Sequence, residues 1–185
     1  MGEALHDYPL TGILPPPPLG MAGSWFAVQT KPRHEKRAAM ELKEKGVEVF
    51  LPLLTAIHHW SDRRRQVEVP LFGGYLFVRI QDDAAQRVTV LRTQGALRFV
   101  GMRGTGVEVP EEDIQAIQTL LQERVAFTAC PFVNIGQKVR IRGGSLDGLR
   151  GILTAVNDDR SLIVSVESIQ RSLQFRIDGY NLEPA

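Results

Sequence analysis

Pro70-Leu71-Phe72-Gly73-Gly74-Tyr75-Leu76-Phe77-Val78-Arg79-Ile80 reads as a glycine turn that delivers a strand. Successive strand side chains point to opposite faces, so Tyr75 and Phe77 share one face while Leu76 and Val78 share the other. Helices covering the Leu76/Val78 face leave an aromatic face for a partner. Aromatic strands also pack inside as ordinary core, and the pattern by itself leaves both readings open.

Working outward, Ser24–Thr30 (SWFAVQT) is aromatic and β-branched, a second strand signal. Pro32 stands where a helix can begin, and His34–Lys45 places Ala38 and Leu42 four apart before Gly46, a helix stop. Val47–Leu54 is a strand loosened by Pro52, and Thr55–Trp60 with Arg64–Val69 flanks a turn at Ser61-Asp62-Arg63. Asp82–Leu91 suits a short helix and Leu97–Met102 a weaker strand. Glu111, Glu112 and Asp113 favour the positive end of a helix dipole, ahead of the apolar stripe Ile114, Ile117, Leu120 and Leu121. Strands with interspersed helices and hairpins predict an α+β sandwich over residues 24–122.

Residues 123–132 lack a period and contain Pro131, which reads as a linker. From 133 to 185 every signal is strand and turn, as in a small all-β barrel that removes exposed edges. Residues 1–23 hold Pro15–Pro18 and no Lys or Arg, the wrong charge for a signal peptide, and read as a flexible leader able to form a polyproline helix.

The 185 residues are 43% hydrophobic and 23% charged, which argues against wholesale disorder. A net charge of +1 excludes a polycation held to nucleic acid by bulk charge, but not a local basic surface. Residues 24–79 carry ten Lys/Arg against six Asp/Glu. That excess gathers at Lys31, Arg33, Lys36 and Arg37 around the first helix and at Arg63, Arg64 and Arg65 on the hairpin, where phosphates are natural partners. No run reaches the roughly 18 apolar residues of a membrane span. Cys130 is the only cysteine, which excludes a disulfide framework and fits a reducing cytoplasm. His58 and His59 are adjacent and face opposite ways in a strand, so they do not chelate one metal. No phosphate-binding glycine loop or nucleophile pattern is present, and neither catalysis nor a cofactor is expected.

Ser24-Trp25-Phe26-Ala27-Val28-Gln29-Thr30-Lys31 followed by Pro70–Val78 resembles the N-terminal (NGN) domain of NusG-type transcription elongation factors. Gly136–Ile141 with Gly143–Leu153 resembles the KOW motif. The resemblance implies a ferredoxin-like NGN domain followed by an SH3-like barrel. It further implies docking on the clamp helices of the largest subunit of RNA polymerase and suppression of pausing and termination. No spare apolar helix face is left unexplained, so a monomer is expected. On this chain the polymerase-binding patch falls on Phe72, Tyr75 and Phe77, bordered by Ile114 and Ile117. Lys31, Arg33, Lys36, Arg37 and Arg63–Arg65 face nucleic acid, with the non-template DNA strand as partner. A segment that touches the opposite polymerase pincer corresponds to Gln86-Arg87-Val88-Thr89. In the barrel, Ile169-Gln170-Arg171 stands where the family meets ribosomal protein NusE or Rho, and housekeeping members carry Phe-Gly-Arg there. That departure is closer in character to specialised paralogs such as RfaH and the UpxY group. The β-branched runs Val139–Ile141, Ile152–Val156 and Leu162–Val166 favour a permanent barrel, with no switch to helix. The rival is a ribosome- or RNA-associated KOW protein whose sheet aromatics stack bases.

Overall fold

A computed structural model describes residues 23–60, 63–101, 104–132, 136–156, 159–177 and 180–185. The fold class is α+β, in two compact units that part between Glu111 and Glu112. The first holds β1 (Ser24–Thr30), α1 (Glu35–Glu44), β2 (Glu48–Phe50), β3 (Leu53–Trp60), β4 (Arg63–Pro70), β5 (Tyr75–Ile80), α2 (Ala84–Leu91), β6 (Ala96–Phe99) and β7 (Glu108–Val109). Its main sheet runs β2-β5-β1-β6 and is antiparallel throughout, with β7 also on β1. Two strand–helix–strand crossovers and a hairpin produce this order, which is that of a ferredoxin-like sheet.

Register decides the faces. Phe26 opposes Val78 and Val28 opposes Leu76, so these four share one face. They form the core with Ile80, Ala38, Ala39 and Leu42 of α1, Val90 of α2 and Phe99 of β6. Phe26 and Phe99 meet edge to face at 6.0 Å. Each large side chain so buried contributes roughly 1.5–3 kcal/mol.

Local signals fix the helix ends. Gly46 adopts φ +77°, the left-handed turn that ends α1, and Val47 N–H donates to the Leu42 carbonyl. The Asp83 carboxylate caps α2 by accepting from Gln86 N–H at 2.7 Å. Pro52 does more than loosen the expected Val47–Leu54 strand. It divides it into β2 and β3, and its carbonyl accepts from Leu71 N–H. β3 and β4 pair alone as a two-stranded ribbon, with Trp60 opposite Arg63. The turn residues 61–62 and the leader 1–22 lie outside the described residues.

The second unit contains most of α3 (Glu111–Gln122) and a six-stranded sheet ordered β13-β9-β10-β11-β12-β8. Its strands are β8 (Phe127–Pro131), β9 (Gln137–Arg142), β10 (Arg150–Val156), β11 (Asp159–Val166), β12 (Arg171–Arg176) and β13 (Asn181–Pro184), with a 3-10 turn at Glu167–Ile169. Val139, Ile141, Leu162, Val164, Val166, Leu173, Phe175 and Ile177 are buried. The stretch 123–132 is therefore more than a linker: β8 is a full edge strand on β12, with Cys130 opposite Ser172. Its missing signal has a physical cause. An edge strand needs little apolar periodicity, because its backbone bonds to one neighbour hold it. No helix among the described residues is long and apolar enough to cross a membrane.

A fragment of residues 124–185 is expected to unfold cooperatively, and one of residues 133–185, lacking β8, to melt lower or without cooperativity. Circular dichroism melts compare them, and equal midpoints would contradict the strand's role.

Candidate functional site

The loop before β5 is held from two sides. Glu35, in the first turn of α1 and buried, accepts from Gly74 N–H at 2.7 Å. The Gly74 carbonyl accepts from Thr30 N–H at 2.8 Å, and Tyr75 N–H donates to Phe72 at 3.1 Å. Gly74 sits at φ +82°, where a side chain would be strained. The loop therefore leaves β1 and α1 in one fixed geometry, with Phe72 at its start and Tyr75 at its end.

Beneath it the second sheet face carries a row of rings. Phe72 meets Phe77 edge to face at 6.2 Å, Phe77 stacks on Phe50 at 6.0 Å, and Phe50 meets Trp25 at 6.5 Å. Arg79 closes the row, 5.9 Å above the Trp25 ring. Glu111 accepts from Trp25 Nε1 at 3.1 Å and pairs with Arg79 at 3.3 Å. Glu48, opposite Arg79 in register, is left over: both carboxylate oxygens are shut from solvent with no hydrogen-bond partner among the described residues. Burial pushes its pKa up, opposed by Arg79.

The expected open aromatic face is closed in this structure. Phe77 is 0%, Trp25 2% and Phe72 4% exposed, while Phe50 and Tyr75 are half-buried. Ring-on-ring packing supplies part of the cover, since Phe77 lies between Phe50 and Phe72. Ile114 and Ile117 are also fully buried on α3. Beside Ile114, Asp113 has its carboxyl pushed up to about 6, first by burial and then by Glu112 and Glu167.

The basic surface is mixed. Lys31, Arg33, Lys36 and Arg37 are all exposed, Arg33 at φ +64°. Lys36 pairs with Glu68 of β4 at 3.3 Å. Met40, 60% exposed on α1, was not signalled by the charge pattern. Arg63, Arg64 and Arg65 oppose Trp60, His59 and His58 along the ribbon, and their side chains lie outside the described residues. In the pincer counterpart, Arg87 is occupied internally: its guanidinium lies 5.2 Å over Phe26 and 4.9 Å over Phe99, bonded to Asp82 and the Thr105 carbonyl. Val88 is exposed. In the second unit Ile169 is buried, while Gln170, in the left-handed conformation, and Arg171 are exposed.

A family model described as "Transcription termination factor nusG" matches residues 23–118, just over half of the chain. The chain belongs to the NusG family. Among curated NusG proteins, named transcription termination/antitermination proteins, that of Borreliella burgdorferi is 24% identical over 186 residues, covering 88% of this chain and 99% of that protein. That of Lactococcus lactis is 25% identical, covering 86% and 91%. A solved structure titled "Domain interaction in Thermotoga maritima NusG" matches with TM-score 0.50 at 17% identity, covering 84% of this chain and 93% of that one. The NusG likeness in structure supports the fold of sheet unit followed by β unit.

Removing the buried acceptor by Glu35→Ala is expected to cost roughly 1.5–3 kcal/mol, the range for a hydrogen bond to a charged group, read by denaturant unfolding. Asp113 gives a pH signature. Its folded pKa lies above the unfolded value of about 3.9, so ionisation opposes folding, and the cost grows as pH rises and is complete above about 6. Asp113→Asn should therefore raise the melting temperature at pH 8, with the gain shrinking as pH falls to 4.5. A gain independent of pH would contradict the assignment.

Proposed function

We propose that the chain is a transcription elongation and antitermination factor that docks on the clamp helices of the largest subunit of RNA polymerase and suppresses pausing and termination. In this reading residues 24–122 are the polymerase-binding module and the β unit recruits a second protein, NusE or Rho, through Gln170 and Arg171. Lys31, Arg33, Lys36, Arg37 and the ribbon arginines Arg63–Arg65 lie along the non-template DNA strand. The chemistry is binding, with no catalytic step, and the place of action is the cytoplasm.

One observation carries the reading: Tyr75, half-buried, closes the loop that Glu35 and Thr30 clamp and that delivers Phe72 to the ring row, in a chain of the NusG family. A partner helix meets Tyr75 first, on a backbone that does not have to be ordered at the moment of binding. Phe72 and Phe77 join the contact only as the face opens, so the closed state sets a threshold for docking.

Tyr75→Ala in the full chain should weaken binding to purified polymerase by about 2 kcal/mol, roughly thirtyfold, while leaving the melting temperature within a few degrees. Biolayer interferometry with and without nuclease checks this. Unchanged affinity, or binding abolished by nuclease, would favour the RNA-associated rival.

A further inference from the structure

One end of the ring row carries two acids and a single cation. Register sets Glu48 of β2, Arg79 of β5 and Trp25 of β1 side by side across the sheet. Residues directly opposed share a face, and Phe50, two along from Glu48, shares it too. Arg79 is engaged away from Glu48. Its Nε donates to the Gly23 carbonyl at 3.1 Å, its Nη2 pairs with Glu111 at 3.3 Å, and its guanidinium lies 5.9 Å from the centre of the Trp25 ring. Glu111 is held in turn by Trp25 Nε1 at 3.1 Å. Glu48, although opposite Arg79, makes no ion pair among the described residues, and both its carboxylate oxygens are shut from solvent without a hydrogen-bond partner. Burial accordingly pushes its carboxyl above the ordinary range, with Arg79 opposing the shift and Glu111 adding to it. Two carboxylates thus face one guanidinium, and Glu111 holds it.

We propose that Glu48 is the receptor for one cationic side chain of the docking partner, an arginine that enters beside Phe50 as the ring face opens. The inference rests on the docking of a partner helix on this face and adds the residue that selects among such helices. Rings alone accept any apolar helix stripe. A carboxylate set among rings accepts only a helix with a cation at the matching place, because an apolar or acidic group there leaves the buried charge unpaired. Phe50 stacks on Phe77 and meets Trp25 edge to face, so the surroundings of Glu48 are aromatic. A guanidinium forks onto a carboxylate and lies flat on a ring, which an ammonium does not do. The closed state suits this role. An unpaired carboxylate raises the free energy of the closed face, and that cost is removed when opening hydrates it and docking pairs it. The same group therefore opposes stability in the free chain and supports the complex.

The test is the affinity of the full chain for purified polymerase, measured with thermal melts of the same variants. Glu48→Gln keeps the shape and removes the charge. It should raise the melting temperature of the free chain at pH 8 by a few degrees, while weakening polymerase binding at least about tenfold. Those opposite signs separate a receptor from a structural acid, whose loss would lower the melt as well. Only the ionised carboxylate pairs with a cation, so the parent's affinity should rise from pH 5 to 7.5, and rise less in Glu48→Gln. Arg79 of β5 and Glu111 of α3 are the charged groups that face Glu48. Both are present in the two proteins, so the difference between the profiles belongs to residue 48. A benzophenone in place of the Phe50 ring should crosslink the polymerase within one helical turn of an arginine, and labelling confined to segments without one would overturn the occupant. Unchanged affinity in Glu48→Gln, or a melt below the parent's, would overturn the receptor. If Tyr75→Ala still weakens binding in that case, the docking stands without it, whereas a parent chain that does not bind polymerase would overturn both.

Discussion

The antiparallel register of β1 on β5 is the constraint from which the first unit follows. Ala27 opposite Phe77 and Val28 opposite Leu76 assign every side chain of the two central strands to a face. A slip of one residue would exchange the faces, sending Trp25 and Phe77 toward α1 and Phe26 and Leu76 toward the ring row. The register is fixed at one end by the Gly73-Gly74 loop. There the buried Glu35 carboxylate and the Thr30 amide grip the two polar groups of Gly74. The same pair of bonds therefore sets both the core and the presentation of Tyr75. A change that loosens the core would loosen the candidate docking surface with it.

Carboxylates in this chain show how far burial and satisfaction can separate. Glu35 is buried and bonded. Glu48 is shut from solvent and unbonded among the described residues, and Asp113 is pushed up to about 6 beside other acids. Unsatisfied buried charge is costly, so natural folds keep little of it away from working surfaces. Glu48 lies on the ring face of the first unit, and Asp113 lies beside Ile114 in the second. An unbonded carboxylate at Glu48 therefore sets a local cost on the ring face that the bonded Glu35 does not set on the loop.

Strands and helices with strong local signals were legible in the sequence. The Tyr75–Ile80 strand, the Gly46 stop and the acidic start of α3 all rest on neighbours within a few residues. What failed was non-local. The openness of the aromatic face depends on which rings meet across strands, and Phe50 and Phe72 contact Phe77 from 27 and five residues away in the chain. β8 was missed because edge pairing with β12 leaves no period in its own residues. Glu35 reads in sequence as one acid among the charges of a basic helix, and its bond to a glycine 39 residues away is visible only in the fold. Ile169 was read as partner-facing and is buried, because the 3-10 turn at Glu167–Ile169 rotates it inward and leaves Gln170 outside.

Net charge also conceals what matters. An overall +1 conceals two quite different basic surfaces. On α1 the cations are interleaved with acids and partly consumed: Lys36 by Glu68, and Lys45 by Glu41. Exposed pairs of this kind contribute little stability and are screened by salt. On β9 and β10 the cations are fewer, but a sheet holds them at fixed spacing, and only Arg142 has an acid of its own among the described residues. An anion gains more from a few positioned, unpaired charges than from many mobile, paired ones, because the repulsion it relieves already exists in the free protein. The segment with the larger basic excess is therefore not necessarily the one with the greater hold on a phosphate chain.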